Sequence, residues 1–370
     1  MPRANGDIKL HIPATMLVDS FSRHCNPQPT MFSKFQRNIS DIVLRNADRQ
    51  RQLAVWQRDP LQFDPNVEYE GPELGLHPMF ETGADEETLR WLASRAYSHQ
   101  AHKQLPIDLC HEAMALYHGA WLRNDDVLTH AFLATARRLY DRAEWRTLER
   151  GTCLVMPHLE PLEGYDEHEL GWPSSMVQGW MLSIFMRAHQ LVPDAGWLDA
   201  ARLALRIFDV DVAKGGLRHE PEPGWVVFEM YPIAGQCRQV LNGFLSSLFG
   251  LHEMARAAQD ANALRLFEQG LATLLHPEFL PSYDTGHISL YDLASPRTAT
   301  PSCVFYTWVH ARQLAALSLI TGEPNLMEWA LRFRQYGRDA RHRMRSNIEC
   351  SVYRVMHLPH YVGRAINLDP

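Results

Sequence analysis

The feature that most constrains this chain is a period. PIDLCHEAMALYHGAWL begins at Pro106, PSSMVQGWMLSIFMRAHQL at Pro173, GQCRQVLNGFLSSLFGLHEM at Gly235 and PSCVFYTWVHARQLAALSLI at Pro301, so successive starts lie 67, 62 and 66 residues apart. Each segment is apolar around most of a helical circumference, the pattern of a helix buried on all sides. In the third, Val240, Leu241, Phe244, Leu245, Leu248 and Leu251 fall at helical spacing. Three of the four open on proline, which suits a first helical turn because its missing N–H has no partner to lose there. Short polar turns follow (RNDD, VPDAG, AAQDA and TGEPN), and more amphipathic helices come next, as in WLDAARLALRIF and LMEWALRFRQYG. Inner helix, turn and outer helix, repeated in series, predict a mainly α fold: an (α/α) toroid or barrel of about four helix pairs.

The segments between pairs are long, roughly 144–172, 212–234 and 277–300, and rich in Gly, Pro and Tyr. Because the turns within pairs are short, these longer loops should gather at one end of the toroid, where a rigid scaffold carries a site. GGLRHEPEPGWVVFEMYP alternates around a Pro-Gly turn and reads as a β-hairpin on that rim. Residues 1–84 read as an N-terminal extension: a helix over MFSKFQRNISDIVLRNADRQRQLAVWQ, then extended chain through QFDPNVEYEGPELGLHP. DEETLRWLASRAYSHQ starts a helix with acids in its first turn and opens the barrel, taken as 85–345. Residues 346–370, beginning SNIECSVYRVMHLPHYVG, read as a strand or arm.

Composition excludes several classes. With 46% apolar residues and ten Trp among 370 residues, the chain has ample material for a core. A formal charge of −7 argues against nucleic acid as a partner, yet leaves room for an acidic ligand met by locally gathered arginines. Six cysteines without a CxxC pair, no signal-peptide pattern and no bilayer-length apolar run predict a reduced, cytoplasmic protein without a membrane span. No HxH or HExxH spacing stands out among nineteen His, so neither a catalytic metal nor a cofactor is expected. A homodimer stays open.

Five motifs in register carry a resemblance: GWPSSMVQG (171–179), FEMYP (228–232), VLNGF (240–244), LPSYDTGHISLYDL (280–293) and YTWVHARQL (306–314). Their order and spacing over about residues 105–338 resemble the C-terminal catalytic domain of the D-glucuronyl C5-epimerases. The resemblance implies an (α/α) barrel, a uronate-containing polysaccharide as substrate, and conversion of D-glucuronate to L-iduronate residues. It places catalytic tyrosines at Tyr231, Tyr291 and Tyr306, with His310 matching a family histidine. The family's E-Y-P motif carries an acid just before its tyrosine; here that position is Met230, and Glu229 stands one residue earlier. The family's arginine after I-Y-D-L is replaced by Ala294, with Arg297 as a substitute. The family's β-rich N-terminal domain has no counterpart in the first 84 residues.

Epimerisation removes a proton α to a carboxylate and returns one to the opposite face, so it needs an acid and a base on two sides of the ring. Fixed donors must also hold the enolate-like carboxylate. Tyrosine, with a reference pKa of about 10, donates well and is a poor base unless a cation is near; Glu229 is the other candidate base. Gln178, Asn242, His310 and Arg238 are the candidate carboxylate donors, and Trp172 is a candidate surface for sugar stacking. Gly179 and Gly243 read as close-packing positions. Two other readings fit the same residues. An (α/α)-toroid polysaccharide lyase would start with the same proton abstraction, and a non-catalytic carbohydrate-binding protein would omit it.

Overall fold

The expected pairs are present. In the computed structural model, which describes residues 72–79, 85–97, 105–159, 170–294 and 302–356, α1 (Glu86–Arg95) precedes four pairs: α2 (Pro106–Arg123) with α3 (Asp126–Arg142), α4 (Ser175–Leu191) with α5 (Trp197–Leu205), α6 (Leu241–Ala258) with α7 (Ala261–Leu274), and, after a single turn α8 (Phe279–Ser282), α9 (Val304–Thr321) with α10 (Pro324–Arg338). The inner members α2, α4, α6 and α9 stand side by side in chain order, each against the next, and each packs on its own outer helix. This is the arrangement of an (α/α) toroid.

The turns within pairs share a local grammar. Asn124 and Gln259 end α2 and α6 in the left-handed region, and Gly322 does the same for α9. Such a residue reverses the chain and frees the next one to cap. Asp125 then accepts from the N–H groups of Val127 and Leu128, and Asp260 from those of Asn262 and Ala263. The carboxylates satisfy orphan donors at the start of α3 and α7, so a two-residue turn suffices.

The inner helices approach closely where glycine allows. A Cβ on Gly179 of α4 would lie 2.7 Å from the Ser247 Cα of α6, and one on Gly250 would lie 2.1 Å from the Gly179 carbonyl oxygen. Gly243 leaves the same kind of room for Met230, whose Cβ would stand 2.6 Å away. From α9, Gln313 Nε2 donates to the Asn242 carbonyl and to Ser246 Oγ, both at 2.9 Å.

The extended segment 72–79 closes one end, at the C-terminal ends of α2, α4 and α6. Arg187 of α4 and Glu253 of α6 are both buried and form a two-pronged ion pair with contacts of 2.7 Å. The same guanidinium donates to the Gly75 carbonyl, Gln190 binds Pro72 O and Leu74 N, and Tyr117 Oη donates to Leu74 O. His77 is buried against Trp180 and Phe249, and its N–H donates to His118 Nε2. Arg187 holds Glu253 well below the usual carboxylate range, and burial pushes the His77 imidazole down to about 3.

Two small hairpins lie in the chain between successive pairs. β1 (Glu144–Leu148) pairs antiparallel with β2 (Gly151–Val155). β3 (Arg218–His219) pairs with β4 (Val227–Phe228) as expected, with Arg218 opposite Phe228 and His219 opposite Val227.

Two boundaries differ from expectation. GQCRQV (235–240) is not the first turn of α6, which starts at Leu241; Gln239 takes a left-handed φ of 52°, and the segment is loop. The C-terminal strand or arm is helix through its described part: α11 runs Ala340–Met356. Asp339 caps its start by accepting from Arg341 and His342, and Arg345 and Glu349 pair one turn apart, local contacts that outweigh the β-branched residues. Residues 1–71, including the expected first helix, lie outside the described residues.

Candidate active site

Three segments are hydrogen-bonded together at the N-terminal end of α6. Ser175, the first residue of α4, donates from its N–H to the Glu229 carbonyl and from its hydroxyl to that of Phe228. Leu241 N–H donates to Tyr291 O, Leu293 N–H to Arg238 O, and Tyr283 Oη to Gln239 O. The hairpin exit (228–231), the loop before α6 and the segment 283–293 therefore form one rim. Every long loop that brings a motif residue here arrives at the end of the toroid opposite segment 72–79.

The three sequence-selected tyrosines meet on this rim. Tyr231 and Tyr291 place their hydroxyls 3.4 Å apart, and the Tyr291 ring lies edge-on to Tyr306 with centroids 4.8 Å apart. Trp172 packs edge-on against Tyr231 and is stacked on His158 at 3.9 Å. All four aromatic residues are half-buried, so each combines fixed packing with a solvent-facing edge. Burial, the neighbouring phenols and the Asp292 carboxylate push the Tyr291 hydroxyl well above its ordinary value. Tyr291 is therefore a proton donor at neutral pH. Tyr306 sits in the first turn of α9, where the helix dipole favours negative charge.

Asn242 lies at the start of α6, nearly buried. Its Oδ1 has no partner among the described residues, and its Nδ2 reaches only Met176 Sδ at 3.9 Å. Arg238 pairs with the fully buried Asp292 at 2.6 Å. Met230, in the position of the missing family acid, accepts from Tyr291 Oη through sulfur at 3.8 Å.

Other expected residues sit elsewhere in the packing. Gln178 is no donor for a substrate carboxylate: its Nε2 donates to Leu154 O and Ala204 O, and its Oε1 accepts from Met156 N–H. All of its amide capacity ties β2 and α5 to α4. His310 is fully buried below Tyr306, with Nδ1 2.8 Å from Ser289 Oγ, and burial lowers its pKa to about 3; the neutral ring has no route to a solvent-borne carboxylate. Glu229 is likewise fully buried, and its two oxygens accept from the Gln239 N–H at 3.2 and 3.1 Å. Burial raises that carboxyl to about 8. Its position beneath the loop, away from solvent, makes it an anchor of the rim. Arg297 lies outside the described residues.

His158 and Asp292 were not expected from the sequence, and Met230 only as the residue in place of an acid. Asp292 had a signal, since it follows Tyr291 directly in the YDL motif; His158 had none.

Comparisons with known proteins place this arrangement. The family described as D-glucuronyl C5-epimerase C-terminus matches residues 146–335, a span that takes in Trp172, all three tyrosines and the Arg238–Asp292 pair. The chain belongs to this family. A D-glucuronyl C5-epimerase of Caenorhabditis elegans is 31% identical over 214 residues, covering 52% of this chain and 32% of that protein. An uncharacterized protein of Methanocaldococcus jannaschii is 29% identical over 168 residues, covering 45% of this chain and 52% of the other. The chain thus spans about a third of the length of the first of these relatives and about half of the second. Among solved structures, unsaturated glucuronyl hydrolase from Bacillus sp. GL1, described as responsible for glycosaminoglycan degradation, aligns with a TM-score of 0.45 at 12% identity over 76% of this chain and 74% of that one. The unsaturated glucuronyl hydrolase of Streptococcus agalactiae aligns at 0.40, also with 12% identity, over 75% and 69% of the two chains. Nothing about activity rests on these two likenesses. No helix among the described residues is long and apolar enough to cross a membrane.

Proposed function

We propose that this protein is a hexuronate C5-epimerase that converts D-glucuronate to L-iduronate residues within an acidic polysaccharide or oligosaccharide. The observation that carries the reading is the meeting of Tyr231, Tyr291 and Tyr306 from three separate segments, in a chain of the glucuronyl C5-epimerase family. Tyr306 is the base: the α9 N-terminus stabilises its phenolate, which takes the C5 proton and becomes the neutral phenol. The C–H electron pair moves into the adjacent carboxyl group, giving an enolate-like dianion that needs fixed donors. Asn242 Nδ2, held only by a weak sulfur contact, is the donor this chain keeps in reserve for that charge. Tyr291, with Tyr231 at hydrogen-bonding distance, returns a proton to C5 from the other face. Trp172 offers its face to the neighbouring sugar.

The test is incubation of the purified protein with unsulfated and N-sulfated heparosan in deuterated water, read by NMR. Deuterium at C5 with new iduronate signals is expected. An unsaturated end group would turn the assignment to a lyase, and binding without exchange to a carbohydrate-binding protein. Exchange on one polymer alone would name its sulfation preference.

A further inference from the structure

The buried carboxyl of Glu229 has neighbours that the epimerase reading does not use. His219 on β3, Glu229 just after β4 and Cys237 on the loop before α6 each bring one ligand atom to a common point, all within 4.8 Å of one another. The hairpin register explains how: β3 and β4 are paired, and the chain then folds back so that Cys237 faces the same spot. We propose that His219, Glu229 and Cys237 form a structural site for a zinc-class divalent transition ion that clamps the hairpin to the rim loop.

The donor set fits such an ion. Imidazole nitrogen, carboxylate oxygen and thiolate sulfur together suit zinc, cobalt or a related borderline metal, and do not suit calcium or magnesium, which take oxygen ligands. The charges fit as well. Glu229 is fully buried and Cys237 half-buried, and among the described residues the Glu229 carboxylate meets backbone N–H and no paired cation, so a negative charge there calls for a counter-ion. A bound dication supplies it and displaces both protons. His219 is half-buried on β3, with a ring nitrogen turned to the cluster. The three side chains leave the fourth tetrahedral position to a water.

The geometry also says what the ion would do. Cys237 directly precedes Arg238, whose guanidinium pairs with Asp292, and Gln239, whose N–H is held by Glu229. Fixing Cys237 to the hairpin sets the loop that leads into Asn242. The site is thus a staple behind the tyrosines with no part in proton transfer, and it stands or falls independently of the substrate.

The test uses the full chain, stripped with chelator and titrated with Co²⁺ and then Zn²⁺. One equivalent of cobalt should give a thiolate-to-cobalt charge-transfer band in the near ultraviolet, zinc should displace it, and uptake should release about two protons in weak buffer. Cys237→Ser should lose the band, and His219→Gln should keep the fold and weaken cobalt binding at least about tenfold, within the range that loss of a metal-site group gives. A band that survives Cys237→Ser, unchanged affinity in His219→Gln, or a wild-type chain that binds Ca²⁺ but gives no cobalt band would each overturn the site.

Discussion

The two ends of the toroid solve opposite problems with the same inner helices. At the closed end, segment 72–79 brings carbonyl groups to the C-terminal turns, Arg187 answers Glu253 with two contacts, and two histidines are buried neutral. At the open end, half-exposed phenols sit beside an amide with an unpartnered oxygen, and a buried acid is held by backbone N–H alone. Closed-end polar groups are placed for each other. Open-end groups are placed for something that arrives. The contrast teaches where stability and chemistry should separate when each is disturbed.

The largest separation should come from the tyrosines. Tyr306→Phe and Tyr291→Phe should each lower the C5 exchange rate by about 10²–10⁴-fold, the range of a lost acid or base, with a melting temperature that stays near wild type. If both folded variants keep full exchange, the proposed roles are wrong and the two ends no longer differ in kind. The mirror experiment is Arg187→Met at the closed end. It leaves Glu253 buried and unpaired, so chemical denaturation should show a loss of about 3–5 kcal/mol. A loss below 1 kcal/mol would mean that water reaches the pair, and the end is open after all.

Acid and alkali should act on different ends. Glu253, His77 and His118 all have folded values below their unfolded ones, so their contribution is present at neutral pH and is lost as pH falls. Glu229 is the reverse: its folded value of about 8 lies above the unfolded 4.5, so in metal-free protein its contribution is full below 4.5 and is lost as pH rises through about 8. Urea midpoints measured across this range should therefore fall on both sides. Glu229→Gln should flatten the alkaline fall and leave the acid one. An unchanged alkaline limb would assign it to another group. The smallest effect belongs to the closed-end turns. Gln259→Gly removes the cost of a side chain in the left-handed region and should stabilise by less than about 1 kcal/mol without touching activity.

The same contrast governs how much of the molecule was legible in its sequence. The pairs could be read because their signals are local: an apolar circumference, a proline at the first turn and a short polar turn after each inner helix. Tyr231, Tyr291 and Tyr306 could be read because their motifs travel with them. The start of α6 was misplaced at Gly235 because nothing in GQCRQV forbids a helix. What holds that segment as loop is the capture of the Gln239 N–H by Glu229, a contact across the hairpin exit. Gln178 misled for a related reason. An amide on a buried helix looks reserved for a ligand until Leu154 O and Ala204 O arrive from other elements. The cluster of His219, Glu229 and Cys237 obeys no sequence spacing at all, because strand pairing sets its geometry.

The closed end also has a history in time. Arg312 on α9 donates to the Pro78 carbonyl across 234 residues of chain. During synthesis at about 5–20 residues per second, those partners become available on the order of ten to fifty seconds apart. Until then Leu74, Leu76 and His77 have no complete base to enter. The last inner helix is thus the keystone of assembly, and a nascent chain halted before α9 should present an unfinished, adhesive base to whatever surrounds it.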